Sequence, residues 1–261
     1  MRRIIRCLLP GLVVGLLPLD VFACSACGCT LSSDWGSQGL VTSKGWRFDA
    51  RFDFFDQDQL REGTSSVARA GLAIPNAREV QQYTTNRNYT FALDYSPGKD
   101  WGVSVALPWF NRSHGTIVAG DEAVSTSHDQ GIGDLRVLAR YSGFDAQRAT
   151  GIEFGLKLPT GTFASKFETG PQEGETIDRG LQLGTGTTDL LLGAYHFGAF
   201  DADWGYFGQA LLQLPLNSRE DFKSGAGLNL NAGLRYTASE TFVPQLQVNA
   251  RIEKRERGAN A

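Results

Sequence analysis

The sequence predicts an all-β fold, an antiparallel up-and-down transmembrane β-barrel. Three observations predict it. Apolar and polar residues alternate with a period of two along most of the 261 residues, as in a strand whose successive side chains point to opposite faces. Long and short connections alternate along the chain between these stretches. Glycine is abundant (31 residues) and methionine occurs once, a composition typical of sheets rather than helices.

Residues 1–23 have the three parts of a secretory signal peptide. Basic residues (Arg2, Arg3 and Arg6) precede an apolar run, and Val21 and Ala23 supply the small side chains that suit cleavage after Ala23. We therefore expect an exported chain that begins at Cys24.

Residues 24–44 are predicted to form a Cys-rich periplasmic N-terminal segment, with thiols at Cys24, Cys27 and Cys29. An oxidising compartment favours a disulfide or a redox tether among them. Thiolates at this spacing could instead bind Cu(I) or zinc, and a third interpretation is lipidation of Cys24. A metal at these three residues is the cofactor that the sequence suggests. It would imply a periplasmic redox or metal-handling partner.

Residues 45–261 are predicted to form the barrel, and the first strand lies at about 46–54. Aromatic or small residues there alternate with Arg47, Asp49, Arg51 and Asp53. Four charged side chains in one row are costly in a closed apolar core. They fit a water-filled lumen, in which the apolar residues face lipid.

The clearest alternation runs from Gly131 to Gly161 and predicts two strands joined by a short turn. The polar face of this pair carries Asp134, Arg136, Arg140, Glu153 and Lys157. These side chains could form a constriction that sets selectivity. The alternative is that they pair with one another and only fill a narrow barrel interior.

Six further strands are predicted from the same alternation, and the two at about 89–95 and 101–109 have aromatic residues at both ends of the outward-facing row. Such ends are expected of the two interfacial girdles of a membrane barrel. The predicted strands lie at about 89–95, 101–109, 188–197, 204–212, 228–236 and 245–252.

The connections supply a second signal, because outer-membrane barrels have long outer loops and short periplasmic turns. Long polar segments are predicted after the odd-numbered strands, at 56–87, 111–130, 160–186 and 215–225. Short links follow the even-numbered strands. Nine strands is an odd number, so we expect that at least one returning strand is missing from the C-terminal end, or is hidden in a long segment.

Three glycine-rich phrases give the chain a family resemblance. They are Gly131–Leu135 (GIGDL) with Arg140 and Tyr141, Gly155–Gly161 (GLKLPTG), and Gly184–Asp189 (GTGTTD). In these phrases the chain resembles the outer-membrane transporters grouped with the MetA-pathway proteins of phenol degradation. The resemblance implies a barrel channel for hydrophobic or aromatic compounds. In physical terms the glycines allow strand entry and turns, and Asp134 and Asp189 could accept hydrogen bonds from turn amides or pair with lumen arginines.

The expected function is passage of a small solute across the outer membrane, with lipid and the solute as partners. The formal charge of −3 argues against a nucleic-acid partner. No nucleophile elbow is present, so no enzyme is expected. Two alternatives stay open: an exported soluble β-sandwich that binds a ligand or acts as an enzyme, and a structural barrel that transports nothing.

Overall fold

A computed structural model describes residue 38 and residues 44–62, 65–239 and 241–258. It is almost entirely β, with 58% strand and 3% helix. The two helical segments are 3-10 turns at Arg69–Gly71 and Arg179–Leu181, and no described helix is long and apolar enough to cross a membrane. The strands are β1 (Gly45–Gln57), β2 (Arg61–Glu62), β3 (Ser65–Ser66), β4 (Val80–Ser96), β5 (Trp101–Ile117), β6 (Ser125–Ile132), β7 (Leu135–Tyr141), β8 (Thr150–Leu158), β9 (Asp189–Ala199), β10 (Trp204–Pro215), β11 (Phe222–Lys223), β12 (Gly227–Tyr236), β13 (Gln245–Glu253) and β14 (Arg257–Gly258).

The long strands form one antiparallel meander in sequence order, β1-β4-β5-β7-β8-β9-β10-β12-β13. β6 pairs with the second half of β5 and β7 with the first half. Together they make one wall strand that is interrupted at Gly133 and Asp134. The sheet curls into a half-barrel. Within the described residues, β1 and β13 each have a single neighbour. The predicted all-β antiparallel barrel architecture is confirmed in this form.

The two faces of the curled sheet have the opposite polarity from a soluble protein. The convex face carries the apolar residues, and Phe48 and Leu93 are 66% and 43% exposed. The concave face carries the charged residues, and Lys157 is 3% exposed. Phe48, Leu93, Val105 and Leu156 therefore do not pack together in a closed centre, as they would in a β-sandwich.

The strands at the long-loop end extend further than the sequence predicts. The interval 111–130, predicted as a loop, instead contains the end of β5 and most of β6, and β4 begins at Val80 inside the predicted polar segment 56–87. The β4–β5 register continues without apolar alternation through Asn86↔Arg112 and Thr84↔His114. The prediction is wrong here because these extensions are polar on both faces, and backbone pairing with the neighbouring strand sustains them.

Candidate functional site

The concave face near the short turns carries a line of alternating charges from three strands, β1, β4 and β7, which reaches across the intervening β5. Asp94 of β4 lies between two arginines. Arg140 of β7 donates to its carboxylate at 2.6 Å, and Arg47 of β1 lies 3.6 Å away. The sequence predicts Arg47 and Arg140 as lumen residues, and the structure joins them through Asp94, which the sequence reasoning did not single out. Its place opposite Arg47 in the β1–β4 register is the signal that finds it.

The other charged residues of β1 form a shorter pair. Arg51 Nε donates to Asp53 Oδ2 at 2.8 Å, and Asp49 lies on the same face of the strand beside them. Arg136 points inward from β7, where it is attracted by Asp134 and repelled by Arg51. The four charged residues of β1 thus share one face of the strand, the less exposed one, and carry both signs.

Glu153 of β8 begins a second polar line, which runs in the opposite direction around the sheet. Its Oε2 accepts a hydrogen bond of 2.8 Å from Gln209 on β10. Gln209 in turn accepts one of 2.7 Å from Asn231 on β12. Three neighbouring hairpins are therefore connected across the concave face by buried hydrogen bonds.

The three glycine-rich phrases of the sequence meet at one buried ion cluster. Lys157 Nζ lies 2.9 Å from Asp134 Oδ2 and 3.1 Å from Asp189 Oδ2. Thr185 Oγ1 also contacts this ammonium group. One cation is thus shared by two carboxylates, and each phrase contributes a charged member. The sequence suggested lumen arginines as partners of the two aspartates, whereas the cation that contacts both of them is Lys157.

Backbone N–H groups of two turns also donate hydrogen bonds to Asp134, as the sequence suggested. Its two oxygens accept hydrogen bonds from the backbone N–H groups of Gly161 (3.2 Å) and Thr185 (3.0 Å). The glycines allow this approach, since a Cβ on Gly184 would lie 2.5 Å from the carbonyl oxygen of Gly161. Only a backbone without a side chain fits between these two turns.

Residues 177–188, here named the inner loop, fold back over the concave face. Residues 177–186 belong to the segment predicted as a long outer loop, and Ile177, Leu181 and Thr187 are almost fully buried. Ile177 and Leu181 pack together with Phe167. The sequence does not predict this burial, because the Gly- and Thr-rich composition of the segment here serves close backbone packing, not solvation.

The inner loop covers polar side chains on the inward face of β4 and β5. Arg112 Nε donates to Asn86 Oδ1, and its Nη1 donates to the carbonyl oxygens of Gly180 (3.1 Å) and Gln182 (3.3 Å) of the inner loop. His114 Nδ1 lies 2.8 Å from Thr84 Oγ1. The sequence reasoning missed Arg112 because it placed this residue in a loop.

The cysteines Cys24, Cys27 and Cys29 lie outside the described residues, so their predicted disulfide, metal or lipid roles stay predictions.

Gln38, which belongs to the predicted Cys-rich segment 24–44, is among the described residues. Its side chain donates to Gln247 at 3.1 Å and accepts from Gln245 at 3.2 Å, which places this residue against β13. In the described part of the chain no group of three or more His, Cys, Asp or Glu side chains could hold a metal ion.

Comparison with known proteins adds no family assignment. No family model matches the chain, and no characterised protein matches it in sequence.

Proposed function

We propose that this protein is an outer-membrane β-barrel channel that passes a small solute through a charged lumen. The observation that carries the proposal is the inverted polarity of the sheet. Apolar side chains cover the convex face and paired charges line the concave face. In water such a convex face would be an aggregation surface. Against lipid it is the expected outer surface of a membrane barrel.

Aromatic pairs at two heights on the convex face support the same proposal. Near the short turns, tryptophan and tyrosine rings pair across neighbouring strands in Trp46–Tyr95, Trp101–Tyr141 and Trp204–Tyr236, with centroids 4.6, 4.9 and 5.0 Å apart. Towards the long loops, Tyr89 pairs with Trp109 at 5.6 Å. Trp109 lies eight positions after Trp101, and this offset corresponds to about 27 Å along a strand. For a strand tilted by about 40° this gives about 21 Å, near the apolar thickness of an outer-membrane barrel.

The proposal also includes a location for the N-terminal segment and a family for the chain. A cleaved signal at residues 1–23 would deliver the protein to the outer membrane of a Gram-negative cell, with the Cys-rich segment 24–44 in the periplasm. The glycine-rich phrases support kinship with the MetA-pathway type of outer-membrane transporter. Their convergence at Lys157 gives the resemblance a physical role, which is to hold the inner loop in the lumen.

A matched pair of arginine substitutions on β5 tests the membrane position. Val105 faces outward at mid-height, and its neighbour Ser104 faces inward opposite Asp94. We expect Val105→Arg to lower the free energy of unfolding by about 2–4 kcal/mol in lipid, the cost of a cation at the bilayer midplane. Ser104→Arg should cost less than Val105→Arg, because its guanidinium enters the polar concave face beside Asp94 and not the bilayer. The measurement is urea unfolding in vesicles, followed by heat-modifiable migration on gels. A protein that stays soluble without detergent and tolerates Val105→Arg would be a sandwich, and the proposal would be wrong.

Conductance in a planar bilayer tests transport itself. We expect discrete current steps from the purified full chain, with an ion selectivity that changes when Asp94 is replaced by Asn. Asp94 lies between two lumen arginines, so its neutralisation should shift selectivity towards anions. A protein that inserts and shows heat-modifiable migration but never conducts would be a structural barrel.

A further inference from the structure

We propose that the inner loop covers a binding site for the carboxylate group of a small organic acid, formed by Arg112, Asn86 and Asn88. The inference rests on the proposed channel function and names the solute class for it. The three residues lie on the inward faces of β4 and β5, where Asn86 and Arg112 are direct cross-strand neighbours.

The first support is a set of buried polar atoms that lack partners. Asn88 is fully buried, and neither atom of its amide has a hydrogen-bond partner within the described residues. Asn86 Nδ2 also lacks a partner. Leaving such groups unpaired costs free energy, and buried polar groups are paired in the great majority of native structures. Two asparagines on successive inward positions of β4, both with unpaired amide atoms and one beside Arg112, indicate a surface built for a partner other than the inner loop.

The second support is what the inner loop places against Arg112. Two carbonyl oxygens, those of Gly180 and Gln182, accept hydrogen bonds from the same guanidinium nitrogen. These oxygens stand in the positions that a bound anion's oxygens would occupy. A neutral carbonyl pair is a weaker partner for a guanidinium than a carboxylate, which accepts two parallel charge-assisted hydrogen bonds.

The composition of the patch selects the solute class. One guanidinium with two amide N–H donors suits a single negative charge with two oxygens. The ring of Phe110 lies under the guanidinium at 5.8 Å and offers an apolar wall to the remainder of the molecule. A cation would be repelled by Arg112. We therefore expect a monocarboxylate with a short apolar part to displace the inner loop from this patch.

The test compares butyrate with its neutral analogue butyramide, using the full chain folded in detergent. We expect butyrate to raise the Tm of the wild type, because a ligand that binds only the folded state stabilises it. Butyramide should not, because it lacks the charge. Arg112→Lys keeps the charge but loses the fork of donors, and it should weaken the butyrate affinity about tenfold.

Asn88→Leu is a second test variant, which should change the Tm without butyrate and the butyrate-dependent Tm shift in opposite directions. Removing an unpaired buried amide should raise the Tm without butyrate, whereas the butyrate-dependent shift should shrink. The matched control is Asn111→Leu, the same change on the outward face of β5 next to Gln130, which should keep the butyrate shift. Equal shifts from butyrate and butyramide, or wild-type shifts in both Arg112→Lys and Asn88→Leu, would overturn the proposed site.

A bilayer recording separates failure of this site from failure of the channel proposal. Current steps that butyrate does not interrupt, together with no Tm shift, would leave the channel standing and overturn the site. A butyrate-dependent Tm shift without any current would leave the site standing and overturn transport.

Discussion

Two regions of the concave face use the same alternating strands to build different interiors. On β1, which has a single neighbour among the described strands, the Arg51–Asp53 pair keeps a quarter to a fifth of its side-chain surface exposed. At the foot of the inner loop, the Lys157 cluster is closed to water, and Asp189 is fully buried. The two regions differ in what packs around the charges, because the inner loop supplies Thr185 and its backbone amide to the Lys157 cluster.

The comparison shows that inward-facing charges on a strand can contribute either little or much to the stability of the fold. A partly exposed ion pair contributes little, since solvent screens it and its side chains lose entropy. A buried cluster costs a great deal to break, because the remaining charges stay buried without compensation. The strand pattern is alike in both regions, so what covers the charges decides their role.

The largest expected effect is therefore on the shared cation. Lys157→Met leaves Asp134 and Asp189 together without the ammonium group that lies 2.9 and 3.1 Å from them. We expect a loss of about 3–5 kcal/mol in the free energy of unfolding, measured by urea denaturation in detergent. The matched substitution Arg51→Met, in the partly exposed pair on β1, should cost no more than about 1 kcal/mol. Equal losses would mean that the two regions do not differ.

A smaller effect is expected where the inner loop meets the wall. Gly184→Ala places a methyl group 2.5 Å from the carbonyl oxygen of Gly161, a contact between two backbones that no side-chain rotation relieves. We expect destabilisation of about 1–3 kcal/mol, the usual cost of overpacking, and easier digestion of the inner loop by protease. Gly71→Ala is the control, because a Cβ there meets nothing within 4 Å. A neutral Gly184→Ala would show that the loop is seated loosely.

The half of the sheet near the short turns is the half that could be predicted from the sequence. Nine wall strands in meander order, with charges on one face, follow from period-two alternation because lipid-facing and lumen-facing positions must alternate. Even the pairing of Arg47 with Asp94 follows once the β1–β4 register is known.

The long-loop half could not be predicted, for two physical reasons. The ends of β5 and β6 carry polar residues on both faces, so no hydrophobic signal distinguishes them from a loop. The burial of the inner loop depends on contacts distant in sequence, such as Arg112 with Gln182, which local composition does not encode. The aspartates of the glycine-rich phrases are a partial exception, because their binding of turn amides was anticipated for Asp134 and is confirmed.

The smallest expected effect lies in the short turn between β7 and β8, far from the inner loop. The backbone amides of Ala149 and Thr150 donate to Asp145 at 2.9 Å each. The first of these hydrogen bonds is the main reason that the pKa of Asp145 lies below its ordinary value of 3.8. A carboxyl whose folded-state pKa is depressed stabilises the fold above its unfolded pKa, and this contribution is lost as the pH falls through the folded value. We therefore expect Asp145→Asn to lower the Tm slightly at pH 7, and the difference from wild type to shrink as the pH falls below 3.8. The measurement is Tm against pH for both proteins. A difference that stays constant down to the lowest pH would show that hydrogen-bond geometry, not charge, holds this turn.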